Sequence, residues 1–256
     1  LSKNQVSHND MVLEALLHMA AGDFDGSTQD RPLIEGVIFS KDRPMQLAAT
    51  IESFLDLVQG DYILHVLYAS SSNGFSSAYD ELKTSIGSDR VCWRRETAFK
   101  SDLLETLSTI RAHRMFFLVD DVIVTRRFSI ADFCPGDPTA FVPSMRLGGN
   151  LRRCYTANAR QPLPQFETTE EGLLKWRWPD GIWDWSYPLS VDGHVFPSAE
   201  IKVLASILEY TAPNTFEGAL QAFSGVYAKR PGLCAPQSCL VNVPHNRVQT
   251  ENDNRS

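Results

Sequence analysis

Apolar positions along this chain fall into two alternating rhythms. Apolar-rich runs at residues 33–39, 62–68 and 115–119, with a shorter one at 90–93, are expected to be strands. A strand covered on both faces loses the in–out alternation, so Met115, Phe116, Phe117, Leu118 and Val119 point to a buried, parallel position. Between these runs the spacing becomes helical. Residues 44–58 set Leu47, Ile51, Phe54, Leu55 and Val58 on one face, with Pro44 in the first turn. Residues 76–86 and 101–111 read as two further helices. Strand and helix in regular succession predict an α/β domain: three layers, Rossmann-like, with a mostly parallel mixed central sheet and right-handed crossovers.

The rhythm changes after residue 135. Residues 139–142 suggest a strand, but 146–185 is rich in Arg, Trp, Pro and Asn without periodicity, the mark of functional loops. Helices are expected at 198–210, capped by Ser198, and at 214–223, where Asn214 and Glu217 resemble a capping box. A last short strand falls at 240–243. Before the sheet, His8, Asn9 and Asp10 are expected to cap a helix over 11–21. The expected organisation is one domain: a peripheral segment 1–30, a first half 31–135, a second half 136–249 and a tail 250–256.

Composition narrows the class. With 256 residues and 43% hydrophobic content the chain can bury a large core. A formal net charge of −7 argues against a nucleic-acid partner, and no apolar run is long enough for a transmembrane span. Five cysteines without C-x-x-C spacing read as reduced thiols, and the first residues show no charged stretch leading into an apolar run, so no signal peptide and a cytoplasmic setting are expected. The first residue is Leu1, and a place within a larger multidomain chain is expected.

Two strand ends carry the chemistry. The run ending Val119-Asp120-Asp121 puts adjacent carboxylates at the carboxyl edge of a parallel sheet, where such sheets bind ligands. Adjacent acids repel unless a cation or a hydrogen-bonding partner is present, so a divalent metal is the economical explanation; a solvated turn is the plainer one. The first strand ends Ser40-Lys41-Asp42-Arg43-Pro44, offering Lys41 and Arg43 to phosphates beside a helix start. No Gly-rich phosphate loop occurs, which argues against dinucleotide oxidoreductases and P-loop kinases.

Together with Tyr68-Ala69-Ser70-Ser71 after the second strand, these ends resemble the nucleotide-sugar half of GT-A-fold glycosyltransferases, bacterial and family-2-like, over roughly residues 33–130. The resemblance implies Mn²⁺ or Mg²⁺ on Asp121, with Asp120 at the ribose or as a second metal contact. Where the family has D-x-D, this chain has Asp120-Asp121-Val122. It implies a nucleotide-sugar donor, the base lying near Ser40, Asp42 and Ser70, with Arg43, Arg94, Lys100 and Arg146 as candidate cations for the diphosphate. It also implies a saccharide or lipid-linked acceptor, polysaccharide biosynthesis, and the inner membrane face as the peripheral alternative to a free cytoplasmic location.

The acceptor side is expected between residues 146 and 217. Arg146, Trp183 and Trp185 are candidates to hold it, since aromatic faces bind sugar C–H faces; the alternative is that the tryptophans are core. The family often adds a C-terminal histidine to the metal, for which His194 is favoured slightly over His245. An inverting enzyme would need a carboxylate base, for which Asp184, Asp192 and Glu217 are all candidates. Two alternatives stay open: a nucleotidyltransferase acting on sugar phosphates, and a non-catalytic glycan-binding module of the same fold.

Overall fold

In the computed structural model, which describes residues 8–15 and 32–243, the apolar runs become the centre of a five-stranded sheet. Its elements follow the expected succession: β1 (Ile34–Lys41), α1 (Pro44–Leu57), β2 (Tyr62–Ala69), α2 (Asn73–Ile86), β3 (Val91–Arg95), α3 (Phe99–Thr109) and β4 (Arg114–Val119). β1 to β4 are mutually parallel in the order β4-β1-β2-β3, as strand–helix–strand crossovers require.

Both faces of this sheet are covered, which explains the missing alternation. Phe116 and Leu118 of β4 pack with Ile38, Leu47, Ile51 and Phe54 on the α1 side. Met115 and Phe117 pack with Leu103, Leu107, Ile201 and Phe216 on the other. Each such side chain contributes on the order of 2 kcal/mol by leaving water. Gly36 of β1 makes the close approach possible, because a Cβ there would lie 2.3 Å from the Phe116 ring.

Local chemistry sets the helix ends. Ser72 caps α2 by accepting from the Phe75 amide at 3.3 Å, and Gly87 closes it in the left-handed region at φ +49°. Asp102 Oδ2 accepts the amides of Thr97 and Ala98 at 2.5 and 2.7 Å, bracing the start of α3.

The second half is more ordered than its sequence suggests. Short β5 (Val122–Val124) follows the acid pair directly. The strand expected at 139–142 begins only at Val142 and runs on as β6 (Val142–Gly148), so Arg146 stands on a strand. β6 joins β7 (Leu174–Trp176), β9 (Gly232–Ala235) and the short Glu167–Thr168 in a four-stranded sheet. β8 (Val195–Pro197), which no pattern announced, adds antiparallel to β4 at the edge of the main sheet.

Three capping expectations are corrected. α4 (Ser198–Ile207) stops before 210, and the Ser198 hydroxyl is buried without a partner instead of capping it. α5 (Pro213–Leu220) is closed by Thr215, whose hydroxyl accepts from Ala212 N at 2.9 Å, and not by Asn214 with Glu217. Residues 8–15 are already helical, so His8, Asn9 and Asp10 lie inside that helix; residues 16–21 fall outside the described part. β10 (Leu240–Asn242) pairs antiparallel with β5 and brings the end of the described chain back to the acid pair. The described cysteines are all free thiols.

Candidate functional site

Register assembles the first half of the site. Phe39 lies opposite Val119, so the residues just beyond, Ser40 to Arg43 and Asp120-Asp121, meet at one rim. Asp42 adopts φ +55°, a conformation short polar side chains tolerate, and its carboxylate accepts the Ser71 amide at 2.7 Å. This turn bends the chain into α1 and places Arg43 over the acids. Arg43 Nη1 lies 3.2 Å from Asp120 Oδ1 and 3.3 Å from Asp121 Oδ2, a buried guanidinium shared by two carboxylates.

In this structure the cation between the two acids is Arg43, supplied by the chain itself. The remaining Asp120 oxygen accepts the Lys41 amide at 3.3 Å, and its main-chain carbonyl accepts the Thr50 hydroxyl at 2.9 Å. Burial outweighs Arg43 and pushes the Asp120 carboxyl up to about 6. Tyr79 ties the rim together, sharing a 2.7 Å hydrogen bond with Ser40 Oγ and accepting from the Arg43 amide at 3.1 Å.

A second constellation stands across the rim. Arg146, on β6, puts Nη2 3.2 Å from Asp184 Oδ1 and Nε 3.7 Å from Asp192 Oδ2. Gln161 holds the other Asp184 oxygen at 3.0 Å, and Asn242 donates to Asp192 Oδ2 at 2.7 Å. The two constellations are stitched together by main-chain bonds: Gly193 N to Phe117 O and Val243 N to Asp121 O, each 2.8 Å. Two carboxylate oxygens here are buried without partners, Asp121 Oδ1 and Asp192 Oδ1. Burial raises the Asp192 carboxyl against the opposing pull of Arg146.

Other expected residues stand elsewhere. Glu217 is half-buried, its carboxyl raised by desolvation and by Asp192, and it accepts the Val191 amide at 3.2 Å, facing the loop that carries Asp192. Arg94 pairs with Glu105 at 2.5 Å and Lys100 with Glu209 at 2.9 Å, so neither is brought to the acid pair. Ser70 meets Ser76 and accepts from Arg95 at 3.1 Å. The Lys41 side chain is exposed at the rim.

Trp185 is corrected from an acceptor contact to core: it is wholly buried, edge-on to Trp176 and Phe166, with Nε1 donating to Leu151 O. Trp183 is half exposed at φ +55°, rare backbone for a bulky residue, directly before Asp184. His194 lies in the core against Trp178, with Nδ1–H donating to the Pro188 carbonyl at 3.1 Å and Nε2 buried without a partner, and burial pulls its pKa down to about 3. His245 lies outside the described residues.

Sequence reasoning missed Thr50, Gln161 and Asn242, which bond to the acid residues, and Tyr79, which anchors the Arg43 amide. None sits in a motif; only the fold brings them in.

No protein-family model matches the sequence, and no curated protein matches it. Among solved structures the chain is similar to GalNAc-T7 with UDP, GalNAc and Mn²⁺, at 12% identity and TM-score 0.52, over 83% of this chain and 43% of that one. It is similar also to S. aureus TarS, at 9% identity and TM-score 0.52, over 81% of this chain and 36% of that one. The chain spans less than half the length of either. What these likenesses establish is the architecture: the chain is built on the GT-A Rossmann-like fold.

Proposed function

We propose that this chain is a glycosyltransferase that moves a sugar from a nucleoside-diphosphate donor to a saccharide or lipid-linked acceptor. The observation that carries the reading is the pair of arginine-bridged acid constellations facing each other at the carboxyl rim of the sheet, each keeping one buried carboxylate oxygen without a partner. Ser40, Asp42 and Ser70 line the rim for the nucleoside, and Arg43 stands where a diphosphate would meet it.

A divalent ion fits Asp121. Its Oδ1 is buried and unpartnered, an oxygen donor suited to Mn²⁺ or Mg²⁺. Among the described residues no group of three His, Cys, Asp or Glu side chains is arranged to hold a metal. That suits an ion held by one or two carboxylates together with substrate phosphates. When bound, the ion would neutralise charge on the departing diphosphate.

Of the three candidate bases, Asp192 fits best. Asp184 has both oxygens engaged, by Arg146 and Gln161, and Glu217 braces the Val191 amide. Asp192 alone keeps an oxygen unpartnered, and its raised carboxyl is closer to the pH at which a base accepts a proton from a hydroxyl. Arg146 and Asn242 fix its orientation. Trp183, directly before Asp184, offers an exposed ring for the acceptor sugar. A base so placed favours inversion by direct displacement.

Calorimetry with UDP and GDP, with and without Mn²⁺, tests the donor side. Binding is expected in the presence of Mn²⁺ and at least tenfold weaker in Asp121→Ala; equal binding by that variant would remove the metal from Asp121. Product analysis separates this reading from nucleotidyl transfer, since release of pyrophosphate in place of a nucleoside diphosphate would overturn it.

A further inference from the structure

Arg43 occupies the position in which the sequence argument expected a metal. A single nitrogen, Nη1, serves both acids, while Nε is buried and has no hydrogen-bond partner. Asp121 Oδ1 is buried and likewise unpartnered. The cluster thus holds an unused donor and an unused acceptor side by side. An unpaired buried N–H favours an anion; an unpaired buried carboxylate oxygen favours a cation. A metal–nucleotide complex carries both.

We propose that Arg43 is an internal counter-cation competing with the metal at Asp121, so that a divalent ion loads onto the acid pair only together with an anionic nucleotide. The proposal rests on the donor-site reading above for the identity of the anion. Without nucleotide, the guanidinium already neutralises both carboxylates, and a divalent ion arriving at Asp121 meets a fixed positive charge against it. A diphosphate gives the guanidinium another partner through its idle Nε–H and lessens its hold on Asp121. Arg43 is placed for this exchange by its backbone: its amide is anchored on Tyr79, and Asp42 fixes the turn before it. Arg43 is accordingly a positioning residue for metal loading.

The test measures Mn²⁺ binding by electron paramagnetic resonance of the free ion, using Mn²⁺ alone and then Mn²⁺ with saturating UDP or GDP. Wild type should bind Mn²⁺ alone at least tenfold more weakly than with nucleotide. Arg43→Gln should bind Mn²⁺ alone at least tenfold more tightly than wild type, and Asp121→Asn in the same chain should abolish that gain. Arg43→Lys, which keeps the charge but lacks the Nε–H, should hold Mn²⁺ alone as weakly as wild type and gain less from nucleotide. Equal or weaker Mn²⁺ affinity in Arg43→Gln overturns the proposal, as does wild type that binds Mn²⁺ equally with and without nucleotide.

Should neither nucleotide bind, the donor-site reading fails, while the Mn²⁺-only comparison of Arg43→Gln with wild type still decides the role of Arg43. Should Arg43→Gln fail to fold, Arg43→Lys decides it: a nucleotide-induced gain in Mn²⁺ affinity equal to that of wild type overturns the role given to the Nε–H.

Discussion

Two arginines in this molecule each hold two carboxylates, but on different foundations. Arg43 and its acids come from the ends of adjacent parallel strands, and the register of β1 and β4 with the single turn at Asp42 brings them together. Arg146 meets Asp184 and Asp192 through loops, with amides from Gln161 and Asn242 filling the remaining positions. The first is scaffold geometry; the second is an assembly of residues nearly a hundred positions apart. A donor site common to a fold suits the former, and a site that must vary with the acceptor suits the latter.

The largest effect expected is on transfer. Asp192→Asn should lower the rate about 10²–10⁴-fold while leaving UDP or GDP affinity within about threefold, because only the base is removed. A matching loss of nucleotide affinity would move Asp192 to the donor side and dissolve the division drawn here.

Next comes stability. Arg146→Met strands two part-buried carboxylates and should cost about 3 kcal/mol in urea unfolding. Arg43→Met should cost less, about 2 kcal/mol at pH 5, because the Asp120 carboxyl, already pushed up to about 6, can take a proton there. Equal losses would show that the two constellations are energetically alike.

The regions also respond to pH with opposite sign. His194 has a folded pKa near about 3 against an ordinary 6.5, so the folded state binds fewer protons. Its contribution is fully present above pH 6.5 and fades on acidification, by about 2 kcal/mol at pH 5. Asp120 is raised from 3.8 to about 6, so the folded state binds more protons and its contribution fades as pH rises from about 4 to 6. His194→Phe should flatten the acid side of the stability–pH curve and Asp120→Asn the opposing slope. A curve unchanged by His194→Phe would mean that the imidazole titrates in the folded state.

The smallest effect concerns the rim. Trp183→Ala should raise the acceptor KM about 3–10-fold and leave stability within about 0.5 kcal/mol, since the ring is half exposed. A loss of several kcal/mol would instead join Trp183 to the core with Trp185.

How far the sequence was readable follows the same divide. The acid pair and the turn at Asp42 were legible because each lies within a few residues at a strand end, and period-2 and period-3.6 patterns locate strand ends. Arg43 was visible as a cation, but only the strand register shows which charges it meets. Trp183 and Trp185 are one residue type, two positions apart; a short 3₁₀ turn, with Trp183 at positive φ, sends one outward and one inward. His194 sits in a polar-looking Asp-Gly-His stretch, yet a β-bridge to Ser144 draws it into the core. Asn242 and Gln161 belong to no motif, so nothing local could mark them.

Gly36 extends this logic away from the chemistry. The Phe116 ring fills the space where any larger residue would put its first carbon, so the lateral spacing of β1 and β4 depends on an atom that is not there. Those two strands carry Arg43 and the aspartates at their far ends. A methyl group added at the base of the sheet would work like a wedge driven between two rails: the damage would appear not where it was inserted but at the tips, as a salt bridge pulled out of reach.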